Sequence, residues 1–378
     1  MKAGLIGLGA IGAMHFKNIS EGKIDGLELA GVFDERPPAP EKFPGAKIYK
    51  SLCEMFSDPD VDAVIIATPS FSHFELAKAA LEAGKHALVE KPIALASADA
   101  RELVKIAKDC GKICAVMLNQ RTTPIYARIR ELVASGELGR VNRASWFMTN
   151  WYRPQIYFSS SPWRGTWKGE AGGALINQSI HNIDIFTWIF GLPDTLRAWC
   201  KFGKYHDIEV EDEATACMEY AGGMTATFAT CTGEFPGSNR FEIACDKGFL
   251  RAENGELFIS RFESVADYTM NTKYMFGTPE CVEITEKFDG NGEQHVGVLK
   301  NFVAAADCDG RLDFSAEEGY NSVCLANAML LSAWTKSDVS FPFDDEKYAR
   351  ILSEKMRASK LRENPDTDFI LDFQKSFR

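Results

Sequence analysis

The first 120 residues alternate two kinds of segment, and that alternation constrains the fold more than any other feature of the chain. Short uninterrupted apolar runs occupy 2–6, 27–33, 61–67, 87–89 and 113–118, with a weaker one at 46–49. Between them lie stretches of helical character. One is "HFELAKAALEAG", closed by Gly84; another is "SADARELVKIAKDCG", which opens on Ser97 as a helix cap and closes at Gly111. A strand without polar alternation has both faces buried, and the intervening helices are what cover them. The reading is α/β, with an N-terminal doubly wound parallel sheet of Rossmann type.

Where the first strand meets the first helix stands Gly7-Leu8-Gly9-Ala10-Ile11-Gly12. In that setting Gly7 permits the tight turn, Gly9 lets a pyrophosphate approach the backbone, and Gly12 lets the helix pack on the strand. Ala10 and Ile11 begin the helix, whose free N–H groups face the anion. The second strand ends "GVFDERP", so Asp34 lies about 20 residues past the glycines, where a carboxylate holds both ribose hydroxyls. It repels a 2′-phosphate, which favours NAD over NADP, although the neighbouring Arg36 is a residue type that accepts one. Two further strand ends, "IIATPSFSH" and "HALVEKP", place Thr68, Pro69, His73, Glu90 and Lys91 as cofactor-side candidates, because ligands of open α/β sheets bind beyond the carboxyl ends of strands.

After a helix with Pro124 in its first turn and Gly136 at its end, the rhythm changes. Segments 141–149, 195–202, 213–220, 223–232, 239–245 and 256–262 read as strands, several with period-two alternation, and helices follow near 295–307, 316–334 and 345–359. This divides the chain into a nucleotide-binding domain, 1–120, and an α+β domain, 121–378, with an open, mainly antiparallel sheet. An uncovered sheet face of that kind commonly pairs subunits, so a homodimer or homotetramer through the second sheet is expected. Residues 150–171 form an unusually aromatic loop. Its tryptophans serve equally well as sugar platforms or as anchors, and Arg153, Arg164 and Lys168 suit hydroxyls or an anionic group. Then comes "GGALINQSIHNIDIF": a glycine pair opening an apolar helix on which Asn177, His181 and Asp184 fall at i, i+4 and i+7. Burying such groups without partners costs a few kcal/mol each, so solvent or a ligand should meet that stripe.

Composition narrows the partners. The chain has 378 residues and a formal charge of -11, which argues against nucleic acid or an anionic membrane as partner. Its ten cysteines contain no C-x-x-C and sit mostly in apolar runs, as free thiols in a reducing cytoplasm do; no metal site is expected. No run is long enough to span a bilayer.

Taken together, "GLIGLGAIGAMH", "ATPSFSHFELAKAALEAGKHALVEKP", "SGELGRV" and "GGALINQSIHNID" resemble the glucose-fructose oxidoreductase/inositol dehydrogenase/MocA (Gfo/Idh/MocA) family, in the family's order and over nearly the whole chain. The resemblance implies an NAD(P)-binding Rossmann domain, an open C-terminal sheet, and oxidation of a secondary alcohol of a sugar or cyclitol. It also implies that Lys91, from the Glu90-Lys91-Pro92 motif, and His181 do the chemistry. Inositol dehydrogenases carry Asp four residues before the histidine, where this chain has Asn177; some relatives acting on nucleotide sugars and glycosides share the N-Q-x-x-H form. On this reading His181 is the base, Lys91 stabilises the alkoxide, and Asn177 positions the sugar by hydrogen bonds. Asn119, Tyr152, Arg164 and His295 are further candidates for substrate contact. Alternatives are a glycosidase- or lyase-like cycle on permanently held NAD, an inositol dehydrogenase, and a non-catalytic sensor of NAD and sugar.

Overall fold

A computed structural model describes residues 1–36, 39–307, 310–363, 365–368 and 370. The chain divides into two compact units: Met1–Thr122 with Gly292–Cys324, and Thr123–Asn291 with the chain from Leu325 onward. The second stretch of the first unit departs from a single cut at residue 120. It returns because a late helix packs on the short helical turn Asn119–Thr122.

In the first unit β1 (Lys2–Ile6), α1 (Ala10–Ser20), β2 (Glu28–Phe33), α2 (Leu52–Ser57), β3 (Ala63–Ile66), α3 (His73–Glu82), β4 (His86–Val89), α4 (Ser97–Cys110) and β5 (Cys114–Val116) follow in turn. The five strands form a parallel sheet in the order β2-β1-β3-β4-β5. Strands β3 and β4 are buried at every residue but His86, from Ala63 to Ile66 and from Ala87 to Val89, as continuous apolar runs require. Two local expectations fail. The run at 46–49 yields only an isolated bridge, Val32 to Ile48, because Pro44 and Gly45 turn the chain immediately before it. Ser97 is the first helical residue of α4, not its cap; the chain turns one residue earlier, at Ala96, and Ser97 is buried.

The second unit opens with α5 (Pro124–Ala134) and β6 (Val141–Met148). The 150–171 loop is not an irregular lid: it holds two short helices, α6 (Gln155–Ser159) and α7 (Trp167–Glu170). Then come α8 (Ile180–Phe190), β7 (Thr195–Phe202), β8 (Glu211–Glu219), β9 (Thr225–Cys231), β10 (Asn239–Cys245), β11 (Gly248–Glu253), β12 (Glu256–Phe262), α9 (Val265–Asn271) and β13 (Cys281–Lys287). The returning helix α10 (Gln294–Ala306), then α11 (Ala316–Thr335), β14 (Val339–Ser340) and α12 (Asp345–Ala358) complete the described elements. Nine strands form a mixed sheet, β13-β12-β11-β10-β6-β9-β8-β7-β14, antiparallel except where β6 runs parallel to β9. Strands β11, β13 and β14 lie outside the segments expected from sequence; β11 alternates in burial, and β13 is an edge strand exposed along almost its whole length.

Alternation gives this sheet two unlike faces. On one, Trp146 stacks on Phe241 at 4.4 Å and meets Phe228 edge-on, and Phe186 of α8 packs on both phenylalanines. On the other, Phe147, Ala229, Thr215 and Trp199 form one lateral row across β6, β9, β8 and β7. At the ends of that row Phe147 is 46% and Trp199 53% exposed. No helix among the described residues is long and apolar enough to cross a membrane.

Candidate active site

The glycine turn has the features a dinucleotide needs. Gly7 sits at φ +89°, a conformation other residues rarely adopt. A side chain at Gly12 would lie 2.0 Å from the Gly7 carbonyl oxygen, so the third glycine is fixed by helix-on-strand packing. A side chain at Gly9 would meet nothing within 4 Å, leaving the backbone open to a ligand. Helix α1, beginning with Ala10 and Ile11, has no side-chain cap and no acidic residue in its first turn, so its N–H groups face outward unneutralised. Asp34 is held against this turn: its two carboxylate oxygens accept from Leu8 N at 2.8 Å and Arg36 N at 2.9 Å. Free N–H groups, an open Gly9 and an anchored carboxylate fit NAD.

Beyond β3 and β4 the candidates separate. Thr68 bonds Ser72 through its hydroxyl at 2.7 Å. His73 is sealed in the interior, with Nδ1 2.7 Å from the Pro92 carbonyl and Nε2 2.9 Å from that of Thr68. Burial lowers its pKa, against the pull of those two acceptors. It is therefore a brace between the turn holding Thr68 and Pro69 and the Glu90-Lys91-Pro92 segment, in place of the direct cofactor contact its position suggested. Glu90 is buried and bonded to His15 Nε2 at 2.8 Å, with His295 3.9 Å away. Burial by itself would raise the Glu90 carboxyl; the bond to His15 and the charges of His295 and Lys91 carry it down to about 2. Glu90 is thus an internal anion whose second oxygen accepts from the Lys91 amide at 3.3 Å, and Lys91 itself is half-buried.

Two proposed substrate contacts lie inside this unit. Asn119 is buried and donates to Gln294 at 2.6 Å, tying its turn to α10. His295 packs edge-on against His15 at 5.6 Å, and burial lowers its pKa. Both serve the packing of α10, which short-range sequence patterns do not show.

In the second unit the glycine pair does not open an ordinary helix. Residues Ala174–Gln178 make a π-helical turn, and α8 starts only after Ser179. The extra residue breaks the straight line of Asn177, His181 and Asp184, and Asp184 is buried. The two glycines answer to different neighbours: a side chain at Gly173 would fall 2.0 Å from the Glu211 carbonyl oxygen of β8, and one at Gly172 2.5 Å from the Ile176 side chain. Glu211, buried in β8, accepts from Gly173 N at 2.8 Å and Leu175 N at 3.0 Å, in the manner of a helix cap. Burial pushes its carboxyl up to about 7, with the two backbone donors only partly offsetting. Between Ala171 and Thr187 every residue is buried except Asn177 and His181.

Around Asn177 stands a network that the sequence did not reveal. The Asn177 amide donates to Glu170, and Glu170 also accepts from Gly165 N at 2.6 Å. The Tyr157 hydroxyl takes bonds from Arg164, from Gln178 at 3.2 Å and from Asn177 at 3.5 Å. Arg164 lies over the Tyr157 ring at 4.2 Å and 4.0 Å from Glu170. Trp151 bonds Asn182 at 2.9 Å, and Trp167 packs on Trp334, so both are buried anchors. Tyr152 is exposed, edge-on to Phe235. Glu170 and Tyr157 looked like loop residues, and Glu211 like one more charge in "EVEDEA"; nothing in local spacing marks them.

A Rossmann unit fitted to NAD, followed by a unit whose open sheet backs a polar pair on a glycine-led helix, is the build of an NAD-linked oxidoreductase. The chain belongs to the Gfo/Idh/MocA family: residues 1–118 match its oxidoreductase NAD-binding Rossmann fold and residues 126–251 its C-terminal domain. It is 32% identical over 199 residues to the uncharacterized oxidoreductase YdgJ of Escherichia coli, covering 51% of this chain and 54% of that one, so it spans about half the length of that relative. Inositol 2-dehydrogenase of Rhizobium meliloti is 24% identical over 347 residues, 90% of this chain and 99% of that protein. Among solved structures, the WlbA dehydrogenase from Bordetella pertussis in complex with NADH and UDP-GlcNAcA superposes with TM-score 0.76 at 25% identity, covering 91% of this chain and 99% of that one.

Proposed function

We propose that this protein oxidises a secondary hydroxyl of a sugar, glycoside or nucleotide sugar with NAD, His181 taking the proton and Lys91 stabilising the alkoxide. The observation that carries this reading is the burial pattern of the glycine-led segment: from Ala171 to Thr187, only Asn177 and His181 are not buried. Oxidising an alcohol removes a hydride from carbon and a proton from oxygen; bound NAD supplies the acceptor for the hydride. The His181 imidazole is the group that accepts the hydroxyl proton. The Lys91 ammonium donates to the same oxygen as negative charge develops there. Gly7, Gly9, Gly12 and Asp34 orient the dinucleotide, and Asn177 holds a neighbouring hydroxyl. Support for a polyhydroxylated substrate comes from the relatives, an inositol 2-dehydrogenase and a dehydrogenase holding UDP-GlcNAcA.

The test is to supply NAD with a panel of glycosides, inositols and nucleotide sugars and follow reduced cofactor. Lys91→Ala and His181→Ala should each abolish turnover while NAD still binds. Wild-type rates in both variants would refute the assignment, and substrate conversion on tightly held NAD without net reduction would point to an internally recycled cofactor. We also propose that the row from Phe147 to Trp199 pairs with a second copy of this chain.

A further inference from the structure

The structure assigns Glu170 as the residue that fixes the Asn177 amide so that its carbonyl, not its NH2, serves the substrate. This rests on the dehydrogenase reading for its catalytic consequence, but the pairing itself stands on geometry.

An asparagine side chain has two ends of similar shape and opposite hydrogen-bonding sense, and its neighbours decide which way it faces. Two oxygens lie against the Asn177 nitrogen: the Glu170 carboxylate and, at 3.5 Å, the Tyr157 hydroxyl. A carboxylate can only accept, so Nδ2 must face Glu170 and Oδ1 must turn the other way. Glu170 is in turn fixed. It is buried, its other oxygen takes the Gly165 N–H at 2.6 Å, and Arg164 lies 4.0 Å away. Tyr157, which also accepts from Arg164 and Gln178, presents its oxygen to the same amide nitrogen, and the Glu170 carboxylate decides the orientation because it has no proton to donate. The result is an acceptor where an aspartate would also present one, with the negative charge displaced one side chain away. Such a site takes a hydroxyl or ammonium donor at Asn177, and the neutral acceptor leaves the anion at Glu170.

In Glu170→Gln, Gly165 N–H keeps the amide oxygen, so the new amide nitrogen faces Asn177 and turns that side chain to put NH2 into the site. In Asn177→Asp, two carboxylates face each other. When both substitutions are combined, the introduced glutamine donates to the introduced aspartate, whose second oxygen again accepts, and the arrangement is restored with its parts exchanged. Each single variant should raise KM for the sugar about tenfold, the worth of one lost or reversed hydrogen bond, with NAD affinity unchanged, and the double variant should recover most of that loss. Thermal melting of the NAD-bound proteins gives an activity-independent arm: each single variant should melt lower, and the double variant should return towards wild type. Additive losses in Tm would overturn the pairing whatever the substrate. Recovery of Tm without recovery of KM would overturn the positioning role. A wild type that turns over no sugar but shows the Tm recovery would sink the dehydrogenase reading while upholding the pair.

Discussion

At Glu211 a buried carboxylate stands where a helix would ordinarily take a serine or aspartate cap, and the substitution has a pH consequence. One oxygen accepts from Gly173 and Leu175, while Oε2 is buried with no hydrogen-bond partner among the described residues, so the charge is poorly solvated and the proton is held up to about 7. Glu170 adds to the rise, and Cys200 and Tyr348 feel the same charge. The unfolded chain releases this proton near 4.5. Between those values the folded state binds more protons, so stability falls as pH rises from 4.5 to 7 and levels off above. Glu211→Gln keeps an acceptor for both N–H groups and removes the titration. Urea unfolding should show the variant losing less stability than wild type between about pH 5 and 8, by on the order of 3 kcal/mol. Superimposable pH profiles would show that Glu211 does not titrate in that window.

Among the elements, α8 joins the candidate chemistry to the core. Its outward side chain His181 is half-buried, while Phe186 on the inward side contacts Phe228 and Phe241 of the sheet. Phe186 is fully buried, so Phe186→Ala leaves a cavity and should cost about 3–5 kcal/mol in chemical denaturation. The same change should lower kcat more than it weakens NAD binding, since the glycine turn belongs to the other unit. The apolar spacing of 175, 176, 180, 183 and 186 was enough to predict a buried face. It could not predict the π-helical turn, which lies where Gly173 must clear β8, more than thirty residues away in the chain. Ser97 failed for a related reason: cap residues are read one at a time, and burial of its hydroxyl outweighed its capping preference.

At the scale of the whole molecule, the second sheet keeps aromatic side chains on its outer row among the described residues. Phe147 and Trp199 remain about half exposed at the ends of a single row, and monomers seldom leave such a surface to water. Light scattering on the wild type should report a dimer or larger, and Phe147→Asp with Trp199→Asp together should shift it to the monomer; an unchanged mass would remove this face as the interface. The chain's own sequence was sufficient for the parallel sheet, the glycine turn that ends its first strand, and the mainly antiparallel second sheet. Each of these depends on periodicity or on residue types a few positions apart, where local sterics and burial act alone. Only the tertiary structure decided that residues 292–324 belong with the first unit, that His73 and Asn119 are buried and His295 packs on His15, and that Glu170 and Glu211 support Asn177's segment. Those outcomes depend on which distant backbone donors and carboxylates meet in the interior, and the cost of an unpaired buried polar group is settled by packing, not by neighbours in sequence.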